Sequence, residues 1–223
     1  QKAVRKHGIS VPDPQLACVP VTSDEGREYF AAMAAAANYA WANRQAISDL
    51  VRAAFERILR AGPGKLGIDL VWDVAHNIAK FEDHMVGGVS RQLCVHRKGA
   101  TRAFAPHHAE LPPDYAAVGQ PVLVPGDMGT GSYVLVGTTG AADKSFSSTC
   151  HGAGRVMSRH AVKRQVRGED VQRSLELKGI FVRGPWKGLA EEAPDAYKDI
   201  DSVVDVVDRA GLARRVARVV PMG

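Results

Sequence analysis

Pro121-Val-Leu-Val-Pro-Gly-Asp-Met-Gly-Thr-Gly-Ser-Tyr-Val-Leu-Val-Gly137 is the stretch of sequence that decides the fold class. It holds two short apolar runs, at 122–124 and 133–136, on either side of a loop that contains three glycines. Short apolar runs bounded by Gly or Pro are typical of β-strands, so we predict a strand at each of them. Runs of the same kind predict three more strands, at 68–72, 93–96 and 180–182.

Helical patterns lie before and between these runs. The longest pattern begins at a capping box formed by Thr22 and Glu25 and ends before the Gly-Pro-Gly sequence at 62–64. A helix of this length is unusual in a globular domain, so we expect a bend or break near Asn43 and Arg44. Shorter helices are predicted at 155–167, 169–177 and 200–210.

Strands and helices interleave without the regular alternation of a doubly wound sheet. The sequence therefore predicts an α+β fold, with mixed sheets and surrounding helices, in a single domain over residues 1–223. The chain has 45% hydrophobic and 24% charged residues, which excludes disordered and fibrous classes. It has no apolar run of about 18 residues and no secretory signal pattern, so we expect a soluble, cytoplasmic protein with no membrane partner.

Cysteine content and charge narrow the functional classes further. Cys18, Cys94 and Cys150 lie far apart without a Cys-x-x-Cys pair, which argues against a disulfide framework and a self-contained zinc ribbon. The 29 Lys and Arg residues outnumber the 24 Asp and Glu residues, giving a net charge of +5. This modest excess favours a polyanionic partner without identifying it.

The first candidate site is the polar turn Ser147-Ser-Thr-Cys-His-Gly-Ala-Gly-Arg155, which opens onto a helical pattern. Its glycines allow a ligand to approach the backbone, and the start of a helix offers free N–H groups to a phosphate. His151 can act there as a general base or attack phosphorus directly, and Arg155 can face the same anion. The alternative is a buried histidine that is hydrogen-bonded within the turn.

The second candidate is Trp72-Asp-Val-Ala-His-Asn77, just after the predicted strand at 68–72. His76 can ligate a metal ion, with Asp73 three positions earlier. Zinc and manganese sites usually need three or more donors, so the alternative is a structural loop histidine.

The third candidate is the glycine-rich loop at 125–132. It lacks the Lys-Ser/Thr ending of a Walker A loop, and a strand rather than a helix follows it. It is therefore either a wider loop that contacts a nucleotide or the connection of a long hairpin.

The fourth candidate site is a surface formed by clustered basic residues. Two basic sets are able to follow a phosphate backbone, and solvated surface charge is the alternative. The sets are His96, Arg97, Lys98 and Arg102, and Arg155, Arg159, His160, Lys163, Arg164 and Arg167.

Six segments considered together carry a resemblance. They are Asn38-Tyr-Ala-Trp-Ala-Asn-Arg-Gln45, Asp73-Val-Ala-His-Asn77, His96-Arg-Lys-Gly-Ala-Thr-Arg102, Pro125-Gly-Asp-Met128, Cys150-His-Gly-Ala-Gly-Arg155 and Glu192-Ala-Pro-Asp-Ala-Tyr-Lys-Asp199. In their order and their residues they closely resemble the RtcB family of RNA-splicing ligases, and they span almost the whole chain.

The resemblance implies a reaction. The family joins RNA ends that carry a 2′,3′-cyclic phosphate or 3′-phosphate to 5′-hydroxyl ends, using GTP and manganese. Its RNA partners are tRNA halves in splicing and broken RNA in repair, and an archease-type protein is a further expected partner.

The resemblance also implies roles for single residues. His151 would be the nucleophile that takes up GMP, and Arg155 would stabilise phosphate charge. His76 would be a manganese ligand, and Asn77 would lie beside the nucleotide. The expected contacts with the guanylate are Pro125, Gly126, Asp127, Met128, Ser132, Gly152, Ala153 and Gly154.

Three segments typical of the family do not occur in this sequence: an Asp-x-x-Cys metal motif, a Gly-Asn-His-Phe segment and a His-Ser-Gly-Ser-Arg-Gly segment. The chain is therefore expected to be the C-terminal part of an RtcB-like catalytic domain, truncated on its N-terminal side. The alternative function is a catalytically incomplete fragment that binds RNA or a nucleotide.

Overall fold

The computed structural model describes residues 2–222, and the chain divides into two compact units, Gln1–Ile78 and Ala79–Gly223. The first unit contains helices α1 (Lys2–Lys6) and α2 (Asp24–Leu59), with a short 3-10 turn at Pro14–Leu16 between them. The single domain that the sequence predicts over residues 1–223 stays a prediction.

The cap of α2 differs from the predicted one. The side chain of Ser23 accepts a hydrogen bond from the Gly26 N–H at 3.1 Å, so Ser23 is the N-cap residue. Glu25 instead accepts from the Lys6 ammonium at 2.5 Å and contacts His7 at 3.1 Å. The predicted box of Thr22 and Glu25 is therefore wrong, because the Glu25 carboxylate binds the last residue of α1, Lys6, and the residue after it, His7.

Helix α2 is continuous over 36 residues, and the predicted break near Asn43 and Arg44 is wrong. The helix contains no proline, and its one glycine, Gly26, lies in the first turn, so nothing in its interior removes a backbone hydrogen bond. It ends at Arg60, which adopts the left-handed conformation with φ 52° and donates its N–H to the Glu56 carbonyl.

The strand predicted at 68–72 is also wrong. The segment has no regular secondary structure and pairs with none of the strands in residues 2–222. The Ile68 carbonyl instead accepts a hydrogen bond from Arg52 Nε of α2 at 2.8 Å. A side chain therefore satisfies backbone that the sequence pattern assigned to a sheet.

Within residues 2–222, seven strands form three small sheets. These are the hairpin β1 (Asn77–Val86) and β2 (Val89–Lys98), the antiparallel pair β3 (Ala100–Arg102) and β6 (Ser148–Cys150), and the antiparallel sheet β4 (Pro121–Val124), β5 (Ser132–Gly137) and β7 (Ala213–Val219), in that order. The remaining helices are α3 (Pro113–Ala116), α4 (Thr139–Ser145), α5 (Arg159–Gln165), α6 (Gly168–Glu176), α7 (Trp186–Glu191) and α8 (Ile200–Arg209).

Three predicted strands are confirmed, in β2, β4 and β5, and the helices predicted at 169–177 and 200–210 match α6 and α8 within one residue. The strand predicted at 180–182 is wrong. Ile180 is buried, and its N–H donates to the Leu175 carbonyl to close the end of α6 after Gly179. Gly179 has a φ of +76°, as expected of a glycine that ends a helix.

Two apolar clusters form the interior of the second unit. The first contains the sheet residues Val122, Val124 and Leu135 together with α8 residues, and Ala153 belongs to it. The second gathers residues of α5, α6 and the turn at 194–196, and Met157 packs against it. The segment from 150 to 157 therefore runs from one cluster to the other.

Small antiparallel sheets with surrounding helices confirm the α+β class. None of the helices in the described part of the chain has the length and apolarity needed to cross a membrane.

Candidate functional site

His151 is the first residue after β6, and the pairing of β6 with β3 fixes its surroundings. Cys150 lies opposite Ala100 in that pairing, which places the turn at Gly99 beside the histidine. Gly99 has a φ of +71°, and a Cβ atom built on it would lie 3.9 Å from His151 Nε2. One ring nitrogen of His151 therefore faces a backbone turn without a side chain.

The segment that carries His151 is not a helix N-terminus, and this part of the sequence prediction is wrong. Helix α5 begins only at Arg159, with Ser158 as its N-cap. The backbone between them is not helical: Arg155 forms an isolated β-bridge with Tyr197, and the Val156 N–H donates to the Ala196 carbonyl at 2.8 Å. A helix dipole therefore does not act on a phosphate at His151.

The structure does bring the histidine motif and the glycine-rich loop together. The Ala153 N–H donates to the Pro125 carbonyl at 2.9 Å. A Cβ atom on Gly152 would lie 3.4 Å from that same oxygen. The residues that the resemblance assigns to the guanylate, from two distant parts of the sequence, thus meet at Pro125.

The loop itself is the connection between the antiparallel strands β4 and β5. Asp127 stabilises it from inside, because its carboxylate accepts from the Gly129 N–H at 2.7 Å and from the Thr130 hydroxyl at 2.9 Å. Ser132 Oγ accepts from the Gly126 N–H at 3.3 Å. The loop is therefore a hairpin connection of defined shape, and its contact with a nucleotide stays a prediction.

Arg155 is held by protein acceptors on all three guanidinium nitrogens. Its Nη1 donates to the Glu192 carboxylate at 3.0 Å and to the Tyr197 hydroxyl at 2.9 Å. Its Nη2 donates to the Glu191 carbonyl at 2.7 Å, and its Nε to the Met157 carbonyl at 3.0 Å. Arg155 thus joins the segment after His151 to the segment 191–197, and its predicted contact with a phosphate stays a prediction.

Charge states around the motif follow from burial and neighbours. Burial raises the pKa of the Glu192 carboxyl, but hydrogen bonds from Tyr197 and Arg159 and the charge of Arg155 outweigh it and hold this pKa below its usual value. Burial, followed by the hydrogen bond to Glu192, raises the pKa of the Tyr197 hydroxyl. Burial also raises the pKa of the Cys150 thiol, so the side chain next to His151 stays a neutral thiol.

Sequence reasoning misplaced Arg97, which it assigned to a basic surface. Arg97 is 2% exposed, and its guanidinium donates to both oxygens of Glu82, at 2.7 and 2.8 Å. It also donates to Ser148 Oγ and to the Phe146 carbonyl, both at 2.9 Å. The buried pair therefore ties the β1–β2 hairpin to β6, three residues before His151.

Burial by itself raises the pKa of Glu82, but the hydrogen bonds and the charge of Arg97 bring it below the ordinary value of 4.5. This stabilisation is present above the pKa of an unfolded glutamate, about 4.3, and is lost as the pH falls through the lower folded pKa. We expect the stability advantage of the wild type over Glu82→Gln to stay constant down to about pH 5 and to shrink below about pH 4.3. Urea unfolding midpoints across this range measure it.

Glu110→Gln is the matched control, because Glu110 pairs with Arg102 on the surface. Its stability difference from the wild type should be small at every pH. A difference for Glu82→Gln that does not change with pH would contradict the prediction.

The other members of the first basic set have varied surroundings. Arg102 pairs with Glu110 at 2.9 Å, and its guanidinium lies 4.3 Å from the centre of the Phe104 ring. His96 Nε2 contacts Cys94 Sγ at 3.3 Å. These side chains do not form one continuous basic face.

His76 and Asn77 belong to the first unit, where both are exposed. His76 lies at a bend and Asn77 is the first residue of β1. Nearby, Asp73 accepts a hydrogen bond from Arg44 Nε at 2.6 Å, so two of the six segments of the resemblance meet here.

A metal centre is not complete within residues 2–222, where no group of three His, Cys, Asp or Glu side chains is placed to hold an ion. The residues present therefore do not fit a manganese site by themselves. The metal-binding role of His76 stays a prediction.

Comparison with known proteins finds relatives that match the whole chain. The family model described as tRNA-splicing ligase RtcB matches residues 1–223. A tRNA-splicing ligase RtcB of Archaeoglobus fulgidus is 60% identical over 223 residues, and one of Methanococcus maripaludis is 51% identical over 224. An RNA-splicing ligase RtcB of Mycobacterium tuberculosis is 54% identical over 224 residues.

Each of these alignments covers the whole chain, which spans 46%, 47% and 50% of the length of the three relatives. The family model matches residues 1–223, and more than half of the aligned residues are identical in each of the three relatives. The chain therefore belongs to the RtcB family of tRNA-splicing ligases.

Proposed function

We propose that the protein is an RNA ligase that joins a 2′,3′-cyclic phosphate or 3′-phosphate end to a 5′-hydroxyl end, with GTP as the energy source and His151 as the nucleophile. The observation that carries the proposal is the placement of His151. Its Nε2 faces the Gly99 turn, and Ala153, two residues later, is hydrogen-bonded to Pro125 of the glycine-rich loop. The names of the relatives, tRNA-splicing and RNA-splicing ligase, support an RNA substrate.

The chemistry suits this histidine. A neutral imidazole nitrogen can attack the α-phosphorus of GTP, forming a P–N bond as pyrophosphate leaves. Transfer of the GMP to an RNA 3′-phosphate breaks this bond and returns the electron pair to the ring, and protonation of the ring makes it a better leaving group. The adjacent Cys150 does not compete as a nucleophile, because burial keeps its thiol protonated.

Glycines around His151 leave room for a phosphate. A Cβ atom on Gly154, which has a φ of +73°, would meet no heavy atom within 4 Å. The turn at Gly99 beside the histidine and the position of Gly154, three residues after it, both lack side chains. A close approach of phosphate oxygens to backbone requires this kind of surface.

Manganese is part of the proposal as the family's metal, with His76 as the ligand that this chain would supply. The ion would need further donors from outside the described residues, since these contain no suitable group. RNA, GTP and an archease-type activator are the proposed partners, and the cytoplasm is the proposed location.

The intact mass of the protein after incubation with GTP and Mn²⁺ tests the nucleophile. We expect one acid-labile GMP per chain in the wild type and none in His151→Asn, because asparagine keeps the polarity of the side chain and removes the nucleophilic ring. His160→Asn is the matched control: His160 is exposed on α5, so this variant should keep the adduct. An adduct that persists in His151→Asn would overturn the assignment of the nucleophile.

The second function is a fragment that binds RNA or a nucleotide without catalysis. The absence of a three-donor metal group among the described residues favours it for the chain taken alone. No adduct in the full-length protein, together with RNA binding that weakens as salt is raised, would support this second function.

A further inference from the structure

A basic pocket lies at the contact of α5, α6 and α7, and none of its lining residues belongs to β6 or to the loop between β4 and β5. Its volume is about 290 Å³, and its lining includes Lys163, Val166, Arg167, Glu169, Trp186 and Lys187. Three of these side chains are cationic and one is anionic. The pocket includes two members of the second basic set of the sequence, whose role the proposed reaction leaves unexplained.

Some cations of the second basic set are paired with carboxylates near the C-terminal end of α7. Arg155 and Arg159 both bind Glu192, and Lys163 binds Glu191 at 2.7 Å. Glu191 and Glu192 lie at the C-terminal end of α7.

Arg167 and Lys187 lie toward the other end of α7. Neither forms an ion pair with any residue from 2 to 222, and both are exposed. Two cations without a direct ion-pair partner among residues 2–222 are therefore found at the N-terminal end of α7, beside Trp186, although the charge of Lys187 acts on Glu191 from further away.

Trp186 is the unusual member of the pocket. It is 58% exposed, although tryptophan offers more apolar area to a core than any other side chain. Its backbone is fixed by Gly168: a Cβ atom at position 168 would lie 2.0 Å from the Trp186 carbonyl oxygen. The close approach of α6 to α7 therefore places the exposed indole next to Arg167, the residue just before Gly168.

We propose that this pocket is a binding site for single-stranded RNA, in which Trp186 stacks on a base and Arg167 and Lys187 contact the flanking phosphates. Exposed aromatic rings beside cations are how proteins hold single strands without reading their sequence. The proposal rests on the proposed function, which supplies RNA as the substrate. A peptide of Asp and Glu would satisfy the cations but would have no aromatic ring to stack on the indole.

The test measures the affinity of the full-length protein for a fluorescein-labelled single-stranded RNA of about 12 nucleotides, a length typical of such sites. The RNA carries hydroxyl groups at both ends, so it cannot be ligated. Trp186→Ala should weaken binding about tenfold, because stacking on an aromatic ring contributes that order of affinity per base. Trp186→Phe keeps a ring and should restore most of the affinity.

Charge variants test the phosphate contacts. The double variant Arg167→Gln, Lys187→Gln should weaken binding and reduce the slope of log affinity against log salt by about 1.4, because each cation that binds a phosphate of a single strand contributes ~0.7 to the slope. Glu169→Gln should strengthen binding, because it removes the one anion of the lining. Arg209→Gln is the control: it removes an exposed charge on α8 and should leave the affinity unchanged.

The GMP adduct, measured on the same variants, separates this proposal from the proposed function. Adduct formation needs no RNA, so Trp186→Ala should form it at the wild-type level. An adduct in the wild type with unchanged RNA affinity in Trp186→Ala would overturn the pocket and leave the ligase proposal standing. Loss of affinity in Trp186→Ala without any wild-type adduct would support the pocket and count against the ligase.

A poly-glutamate peptide is the probe for a protein partner. Suppose that the peptide competed with RNA, and that the double charge variant lost affinity for the peptide but not for RNA. The occupant of the pocket would then be an acidic protein segment. That result would overturn the proposal of an RNA site.

Discussion

Arg97→Leu is expected to lower the free energy of unfolding by about 3–5 kcal/mol. The substitution removes the cation from a pair that is almost fully buried, with the side chains of Arg97 and Glu82 exposed by 1% and 6%. Glu82 would then keep a charge in the interior without its ion-pair partner, with His84 in contact at 3.1 Å and the charges of Arg102 and Lys80 acting from further away. Ser148 Oγ would also lose the hydrogen bond from Arg97, and the Phe146 carbonyl would lose one of its two donors and keep the Ser148 hydroxyl.

A double-mutant cycle identifies the source of this loss. Arg97→Leu, Glu82→Leu removes both charges, so it should be more stable than Arg97→Leu alone. Urea unfolding followed by circular dichroism gives the free energies of unfolding of the wild type, of the two single variants Arg97→Leu and Glu82→Leu, and of the double variant. Arg209→Leu, which breaks an exposed pair with Asp205, should cost at most about 1 kcal/mol. A double variant less stable than the single one would show that the charge left in Glu82 is not the cause.

The structural role of Arg97 could not be read from the sequence. The stretch His96-Arg-Lys98 has the composition of a surface strand, and its partner Glu82 is 15 residues earlier on β1. Only the pairing of β1 with β2 brings the two side chains to one place. A charge pair formed by long-range folding leaves no local pattern, so the sequence predicted solvated or phosphate-binding charge at Arg97 instead.

The strands that the sequence predicts differ from a strand that it does not predict in their local hydrophobic pattern. The runs in β4 and β5 were predicted because their residues are apolar and β-branched and turn residues bound them. Strand β7 has the sequence Ala-Arg-Arg-Val-Ala-Arg-Val, and among the strands of residues 2–222 its one neighbour is β5, so it lies at the edge of its sheet. Six of its seven residues are exposed, so its hydrophobic pattern is weak and the sequence did not predict it.

For the candidate site, the resemblance placed the motif segments in one family, and the structure shows which of them touch. The hydrogen bond between Ala153 and Pro125 joins two of the predicted segments, and Arg155 joins a third through Tyr197 and Glu192. Sequence reasoning had given Arg155 to a phosphate and had not foreseen these partners, which lie 36 to 42 residues away.

Gly126→Ala is expected to abolish formation of the GMP adduct and to destabilise the protein by about 1–3 kcal/mol. A Cβ atom at this position would lie 2.1 Å from the Gly131 carbonyl oxygen, across the loop between β4 and β5. The Cβ atom is fixed to the Gly126 backbone and the oxygen belongs to the Gly131 backbone, in a loop whose two ends are held by paired strands, so the loop must open to relieve the clash. Opening it displaces Pro125, whose carbonyl holds Ala153 two residues after His151.

Gly188→Ala is the matched control, because a Cβ atom there would meet nothing within 4 Å and Gly188 lies inside α7. This substitution should be neutral or stabilise the protein by up to about 1 kcal/mol. Mass spectrometry after incubation with GTP and Mn²⁺ measures the adduct, and thermal unfolding measures the stability.

Ser132→Ala gives a milder version of the same test, should Gly126→Ala fail to fold. It removes only the acceptor of the Gly126 N–H, at 3.3 Å, and leaves the backbone contacts of the loop in place. If the loop forms part of the guanylate site, the adduct should fall several-fold while the unfolding temperature changes by only a few degrees. If Ser132→Ala and a folded Gly126→Ala both formed the adduct at the wild-type level, the loop would be an ordinary hairpin connection. The contact with the nucleotide would then have to come from the His151 segment alone.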